Sequence, residues 1–301
     1  MNLLDYDSVV PDDLYLDSSV KKYLTSFLRD GFVVIPSNSD FLDKVEHARH
    51  SFFEFKKNNE AITTPIQDSS GCLRRIVNLH TNKPAIAELF TSNPSLPFLD
   101  YIMGEATLYT SLVFEKGSTQ DIHRDTPYFW TNPQYSYVGV WVALEDVGPG
   151  NGALRVVPGG HKLPELDRQS IAKKFFKDLD SINPYSDELW CEYQALVKQQ
   201  YVSAGLIEKE IHVSKGDTII WHPQLPHGGS PILDDLQTRL SIAMHVTPPH
   251  LAVYHQDVFF SNKVVPSTKD IKYSEINNRR YIAHDTVSFG HVTNYTHDQL
   301  L

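Results

Sequence analysis

The residues with the clearest chemical content are His123, Arg124 and Asp125. In an extended segment, residues i and i+2 share a face, so this H-x-D sets an imidazole beside a carboxylate. That gives two metal ligands from one short stretch. A second such triplet occurs at His255-Gln256-Asp257, and spacing alone does not separate the two. A mononuclear non-haem iron site takes two His and one carboxylate on one face and leaves the opposite positions open. His227, in the run WHPQLPHGGSP, is the candidate third ligand, between an expected strand (218–222) and a Gly-Gly-Ser-Pro turn. Twelve residues on stands Arg239. Strand alternation puts Arg239, Ser241, Ala243 and His245 on one face and Leu240, Ile242, Met244 and Val246 on the other. The second face is a core face, so the first looks into the barrel or at its mouth. An inward arginine needs an anion, because an uncompensated buried charge costs several kcal/mol. A dicarboxylate suits its two-pronged guanidinium. After the second triplet come His284, His291 and His297, with no arginine behind any of them. That triplet lacks the anchor.

The elements that must position these residues follow from periodicity. Val20, Tyr23, Leu24, Phe27 and Leu28 make one apolar helical face over 18–30, capped by Ser18 or Ser19 and stopped by Gly31. A short strand at 32–35, a helix over 40–58 and shorter helices at 84–91 and 95–102 come next. From residue 105 the texture turns to strands: 106–114, 137–144, and 153–157 after the GPGNG turn. Residues 163–204 read as helical, with Leu189, Tyr193, Leu196 and Val197 in helical spacing. Strands resume at 209–213, 218–222 and 238–246. The expectation is one domain over 1–301, mainly β with flanking helices, as an antiparallel sandwich or jelly roll. Residues 1–104 form a mostly helical support, 105–160 and 205–250 carry the barrel strands, 161–204 is a helical insertion and candidate lid, and 251–301 is an extension.

Composition narrows the class. The 301 residues carry a net charge of −10, which argues against nucleic acid or an anionic membrane as partner. A hydrophobic fraction of 41% argues for a packed core. No apolar run approaches the ~20 residues needed to span a bilayer, and the acidic opening stretch lacks a signal-peptide pattern. Two distant cysteines form no disulfide framework, so a reducing, cytoplasmic setting is expected. Neither G-x-G-x-x-G nor a P-loop occurs, which removes those nucleotide cradles. Oligomeric state is not readable from the sequence.

The stretches HRDTPYF (123–129), VGVWVALEDVGPGNGALRVVPGGH (138–161), GDTIIWHPQLPHGGSP (216–231) and RLS (239–241) together resemble the phytanoyl-CoA dioxygenase family over roughly residues 20–250. The resemblance implies a double-stranded β-helix (jelly roll, cupin-like) core. It also implies an oxygenase using Fe(II), 2-oxoglutarate and O2. Carried over by motif, His123, Asp125 and His227 hold iron, and Arg239 grips the far carboxylate of 2-oxoglutarate. Ser241 shares that carboxylate, Trp141 lines the cosubstrate pocket, and Tyr109 offers it a hydroxyl. Thr126 and Tyr128, just past the metal pair, are expected at the substrate mouth, and Trp130 in packing. His222 and His245 are expected beside the site and His161 in a turn. The implied reaction is hydroxylation of a C–H in a small organic molecule with release of succinate and CO2. Asp125, which related halogenases lack, favours oxygenation over halogenation. The net charge of −10 argues against a CoA thioester. Two other classes stay open. A non-catalytic jelly-roll binding module would be free to lose any of the four residues. A zinc hydrolase using the same two His and Asp would leave Arg239 without a role.

Overall fold

The computed structural model describes residues 17–234, 236–290 and 293–301. The acidic opening stretch and His291 lie outside them.

The first helix, Ser18–Asp30, is capped by Asp17, whose carboxylate accepts from the Ser19 backbone N–H, and not by Ser18 or Ser19. It ends where Gly31 turns left-handed (φ 83) and donates its N–H to the Phe27 carbonyl. Val20, Leu24 and Phe27 are buried, as the periodicity predicts. Helices Ser39–Asn58, Pro84–Thr91 and Leu96–Met103 complete the N-terminal layer.

Strands β1 (Phe32–Ile35), β2 (Ile76–Val77), β3 (Thr107–Phe114), β4 (Trp130–Thr131), β5 (Val138–Ala143), β6 (Leu154–Val156), β7 (Lys209–Ile211), β8 (Thr218–Trp221), β9 (His227–Gly229) and β10 (Ser241–Thr247) are followed by β11 (Val253–Tyr254), β12 (Tyr273–Ile276), β13 (Arg279–Ile282), β14 (Thr286–Phe289) and β15 (Thr293–Thr296). A ten-stranded sheet runs β1-β8-β5-β10-β3-β2-β14-β15, antiparallel along that path, with β12 and β13 attached beside β3. A second sheet, β7-β6-β9, faces it. The mainly-β, jelly-roll expectation holds. The C-terminal segment, read as an extension, adds strands to the large sheet.

Two cores follow from strand alternation. Leu240, Ile242, Met244 and Val246 join Val138, Val140 and Val142 in packing against the N-terminal helices. Burying each such side chain contributes on the order of 1.5–3 kcal/mol. On the opposite face Trp141, Ala143, Ile219 and Trp221 meet Leu154, Val156 and Ile211 of the second sheet. The space between the two sheets holds the candidate site.

The insertion is less helical than its composition suggests. It contains Arg168–Ala172, a 3-10 turn at Leu179–Ser181 and the long helix Asp187–Ser203, joined by irregular chain. Leu189, Tyr193 and Val197 of that helix bury against Trp130, Phe259 and Phe260. Trp130 therefore packs as expected, with the Arg168 guanidinium 4.5 Å from its ring centroid.

Candidate active site

The two chain segments expected to supply ligands meet directly. His123 forms an isolated antiparallel bridge with His227, each backbone N–H donating to the other's carbonyl at 2.8 and 2.9 Å. The H-x-D is not a regular strand. After His123 the chain turns, and the Tyr128 N–H donates to the Asp125 carbonyl at 2.8 Å. Asp125 thus reaches the site through a turn and not through simple alternation. The outcome is nevertheless the predicted cluster. One ligand atom from each of His123, Asp125 and His227 lies within 4.8 Å of the others. Nε2 of His123 is 3.3 Å from Asp125 Oδ1, and Nε2 of His227 is 3.4 Å from Oδ2.

The other imidazole nitrogens are committed to backbone. His123 Nδ1 lies 2.7 Å from the Asp121 carbonyl, and His227 Nδ1 3.0 Å from the Leu225 carbonyl. Each Nδ1 therefore donates, which leaves both Nε2 lone pairs facing Asp125, as a metal site requires. Burial lowers the His227 pKa to about 4, keeping the ring neutral at neutral pH. Burial pushes the Asp125 carboxyl up, but the imidazoles of His227, His123 and His245 more than reverse that and hold it ionised.

His245 does more than fill space. Its Nε2 lies 3.0 Å from Asp125 Oδ2, and its ring stacks on Phe129 at 3.7 Å. Tyr109 occupies the register shift of β3 against β10 and packs edge-on to Phe129. Burial lifts its phenol to about 12, so it stays protonated.

Arg239 is buried just ahead of β10. Its Nη1 donates to the Gly152 carbonyl, and its guanidinium sits 5.5 Å from the Trp141 ring centroid. Burial lowers its pKa to about 10, so it remains a cation. Its Nε and the Ser241 hydroxyl are both buried without a hydrogen-bond partner among the described residues. A carboxylate is the group that satisfies both. Asn151 holds this corner, since its side-chain amide donates to the carbonyls of Asp146 and Thr238.

Thr126 does not face the substrate mouth. It is fully buried, and its hydroxyl lies 3.1 Å from the Pro223 carbonyl and 3.2 Å from Gln224 Oε1. The turn after Asp125 carries it inward, where it braces the loop leading to His227. Tyr128 belongs to an aromatic cluster beside His123. Its ring lies 4.6 Å from that of Trp190, which in turn lies 5.8 Å from His123. The second triplet is dispersed: His255 Nδ1 bonds the Tyr128 carbonyl, and Asp257 pairs with Lys263. His222 stands apart from the three-residue cluster, packed 5.2 Å from His161 and 6.0 Å from Phe27. His161 serves its turn and bonds the Leu28 carbonyl.

Two supports had no clear sequence signal. Gln194, on the Asp187–Ser203 helix, accepts from the Arg124 N–H at 2.9 Å and donates to the Arg124 carbonyl at 3.0 Å. It clamps the middle of the H-x-D from seventy residues away. Gly228 lets β9 approach so closely that a Cβ there would lie 2.7 Å from the Gln120 carbonyl oxygen.

The family model for phytanoyl-CoA dioxygenase (PhyH) matches residues 9–235. The chain belongs to the phytanoyl-CoA dioxygenase family. The rice protein Phytanoyl-CoA dioxygenase 1 (Oryza sativa subsp. japonica) is 24% identical over 211 residues, 65% of this chain and 68% of that protein. The peroxisomal phytanoyl-CoA dioxygenase of Bos taurus is 28% identical over 116 residues, and the match spans only 29% of its length. Among solved structures, the epimerase SnoN from nogalamycin biosynthesis, in complex with Fe3+, alpha ketoglutarate and nogalamycin RO, superimposes with a TM-score of 0.57. It is 16% identical, with 89% of this chain and 99% of that one covered. EctD from S. alaskensis, with 2-oxoglutarate and 5-hydroxyectoine, gives a TM-score of 0.54 at 17% identity, covering 80% and 79%. The fold of the family is therefore the fold of this chain. Family membership makes it an enzyme of the Fe(II)- and 2-oxoglutarate-dependent oxygenase class.

Proposed function

We propose that this oxygenase hydroxylates an unactivated C–H of a small organic molecule, with His123, Asp125 and His227 holding Fe(II) and Arg239 and Ser241 holding 2-oxoglutarate. The observation that carries the reading is the buried Arg239 guanidinium, whose Nε and neighbouring Ser241 hydroxyl lack partners in the barrel that also gathers two His and an Asp. A hydrolase built on the same three ligands leaves that cation uncompensated.

Bound iron and 2-oxoglutarate would supply oxidising power through decarboxylation of the cosubstrate to succinate and CO2, with O2 as oxidant. The chain's own residues position and shield. His123 and His227 present neutral Nε2 atoms. His245 orients the Asp125 carboxylate. Trp141 covers the cosubstrate anchor, and Tyr109 keeps a protonated hydroxyl near Phe129. Tyr128, Tyr185 and Trp190 make an aromatic wall, in which Tyr128 and Tyr185 lie 6.3 Å apart. Two of these three come from the insertion, which supports its role as part of the lid over one catalytic domain. Both cysteines are free, and no helix among the described residues is long and apolar enough to cross a membrane. These facts accord with the cytoplasmic setting we propose.

The test is an anaerobic titration with Fe(II) and 2-oxoglutarate, read by the weak visible charge-transfer band. About one equivalent of each is expected, and His123→Ala or Asp125→Ala should abolish both the band and succinate formation. No band at saturating metal favours the non-catalytic module. Product mass separates the reactions, since hydroxylation adds one oxygen atom and epimerisation none.

A further inference from the structure

A line of aromatic side chains leads from the metal site to the surface. Between ring centroids, Trp190 lies 5.8 Å from His123, Tyr128 lies 4.6 Å from Trp190, and Tyr185 lies 6.3 Å from Tyr128. Exposure rises along it. His123 is buried, Trp190 and Tyr128 are half-buried, and Tyr185 is 60% exposed. Separate stretches of chain hold the line in place. Tyr128 is fixed by the turn at Asp125, whose carbonyl accepts its backbone N–H at 2.8 Å. Tyr185 and Trp190 flank the start of the Asp187–Ser203 helix, which Ser186 caps by accepting from the Leu189 N–H. His255, from the second H-x-D triplet, ties the two parts together. Its Nδ1 bonds the Tyr128 carbonyl at 2.9 Å, and its ring lies 5.1 Å from that of Tyr185.

Trp and Tyr are the ring side chains that give up a single electron most readily, and rings in near contact exchange an electron faster than an enzyme turns over. The oxygenase class has a use for this. When 2-oxoglutarate and O2 are consumed with no substrate in place, two oxidising equivalents are left at the metal, beside the protein's own ligands. Trp221 lies nearer to a ligand, 4.8 Å from the His227 ring, but it is buried in the core between the two sheets. The Trp190 line, by contrast, ends in solvent.

We propose that Trp190, Tyr128 and Tyr185 form an electron-transfer path that discharges the metal site after turnover without substrate, taking electrons at Tyr185 from a one-electron reductant in solution. This goes beyond the hydroxylase reading and rests only on the oxygenase class and the three ligands. In each pass Trp190 loses one electron to the metal site, and Tyr185 refills it through the Tyr128 ring. The exposed Tyr185 phenol releases its proton to water as its electron leaves, and regains an electron from the reductant and a proton from solvent. Two passes complete the balance: 2-oxoglutarate, O2, two electrons and two protons give succinate, CO2 and one water.

The test uses the full chain with Fe(II), 2-oxoglutarate, O2 and catalase, without substrate. The reductant is ABTS, whose one-electron oxidation is read by its colour. About two ABTS are expected to be oxidised per succinate formed. Without ABTS, rapid-freeze electron paramagnetic resonance should show a tyrosyl radical, and peptide mass analysis should find added oxygen on Trp190, Tyr128 or Tyr185. Tyr185→Phe keeps the ring but has no phenolic proton to release. It should cut ABTS oxidation per succinate at least fivefold and move the added oxygen inward to Tyr128 and Trp190. Trp190→Phe should lower the ABTS yield and the radical together. Succinate formed with neither ABTS oxidation nor oxygen on any of the three rings overturns the proposal. So does added oxygen on Trp221 in place of the three. Tyr185 oxidised at wild-type yield in Trp190→Phe also overturns it, since a diffusible oxidant would then be the cause. Should Trp190→Phe fail to fold, an unchanged ABTS yield in Tyr185→Phe overturns it equally. Absence of succinate from the wild-type protein is a different result: it removes the oxygenase reading, and the proposal with it.

Discussion

His245 Nε2 lies 3.0 Å from Asp125 Oδ2, while His123 Nε2 approaches the other oxygen, Oδ1, at 3.3 Å. Oδ2 accepts from His245, and Phe129 stacked on His245 fixes the ring that holds the carboxylate. Partners that orient a ligating carboxylate typically contribute ~10–100-fold to metal affinity. His245→Leu should therefore weaken Fe(II) or Co(II) binding by about that factor, measured by competition with a chromophoric chelator, and His245→Gln should recover part of it. Unchanged affinity in His245→Leu would mean that the turn at Asp125 positions the carboxylate alone.

Arg239 allows a sharper separation of roles. Truncating one partner of a buried, hydrogen-bonded charge pair costs about 2–5 kcal/mol, or roughly 30-fold or more. Arg239→Met should weaken 2-oxoglutarate by at least that factor and leave Ni(II) affinity within a few-fold, because its guanidinium contacts Gly152 and Trp141 and none of the three ligands. Arg239→Lys should not restore binding, since an ammonium cannot present two parallel donors. Calorimetry on the Ni(II) protein decides. A lysine variant with wild-type affinity would show that charge without fork geometry suffices.

What was legible in the sequence was the chemistry that residue type and short spacing carry. His123, Asp125, His227 and Arg239 could be picked out because few side chains bind metal or a dicarboxylate. Alternation across 239–246 correctly assigned the two faces of β10. Contacts between distant segments were not legible. Nothing local marks Gln194 as the clamp on Arg124, or His245 as the partner of Asp125 and not merely a neighbour. Thr126 was misplaced because a turn, not a strand, follows His123. The net charge of −10 is silent on place: Arg74, Arg75, Lys116 and Arg155 line one cavity. A sum over the chain carries no information about where charges converge.

Close backbone approach gives a prediction specific to β9. A Cβ on Gly228 would lie 2.7 Å from the Gln120 carbonyl oxygen and 2.9 Å from the Asp121 carbonyl. These are backbone atoms of the segment that pairs His123 with His227, so relief requires the two segments to part. Gly228→Ala should lower Tm and metal affinity together, with the metal loss exceeding tenfold. Gly148→Ala, where nothing lies within 4 Å and φ is not positive, should leave both unchanged and serves as the control. Should Gly228→Ala bind metal normally at a reduced Tm, the bridge does not set ligand spacing.

His80 supplies the pH dependence. It is fully buried against Tyr281, with Nε2 3.3 Å from the Ile282 carbonyl and Nδ1 2.7 Å from the Ser111 hydroxyl. The carbonyl can only accept, so Nε2 carries the proton and Nδ1 accepts from Ser111, which is the neutral tautomer. Burial, with His284 nearby, lowers the His80 pKa to about 3. An unfolded histidine titrates near 6.5. Above that pH both states are neutral, and His80 adds no pH dependence. Between about 3 and 6.5 the unfolded chain takes up a proton that the folded chain refuses, so stability falls as pH falls. At about 1.4 kcal/mol per pH unit, His80 accounts for roughly 2 kcal/mol lost between pH 7.5 and 5. His161 and His227, each lowered to about 4 by burial, add to the same slope. His80→Gln should be less stable at pH 7.5, yet lose about 2 kcal/mol less than wild type on going to pH 5. Urea unfolding with EDTA present, so that metal does not enter the balance, measures both. Parallel losses in the two proteins would show that the folded chain accommodates a protonated His80.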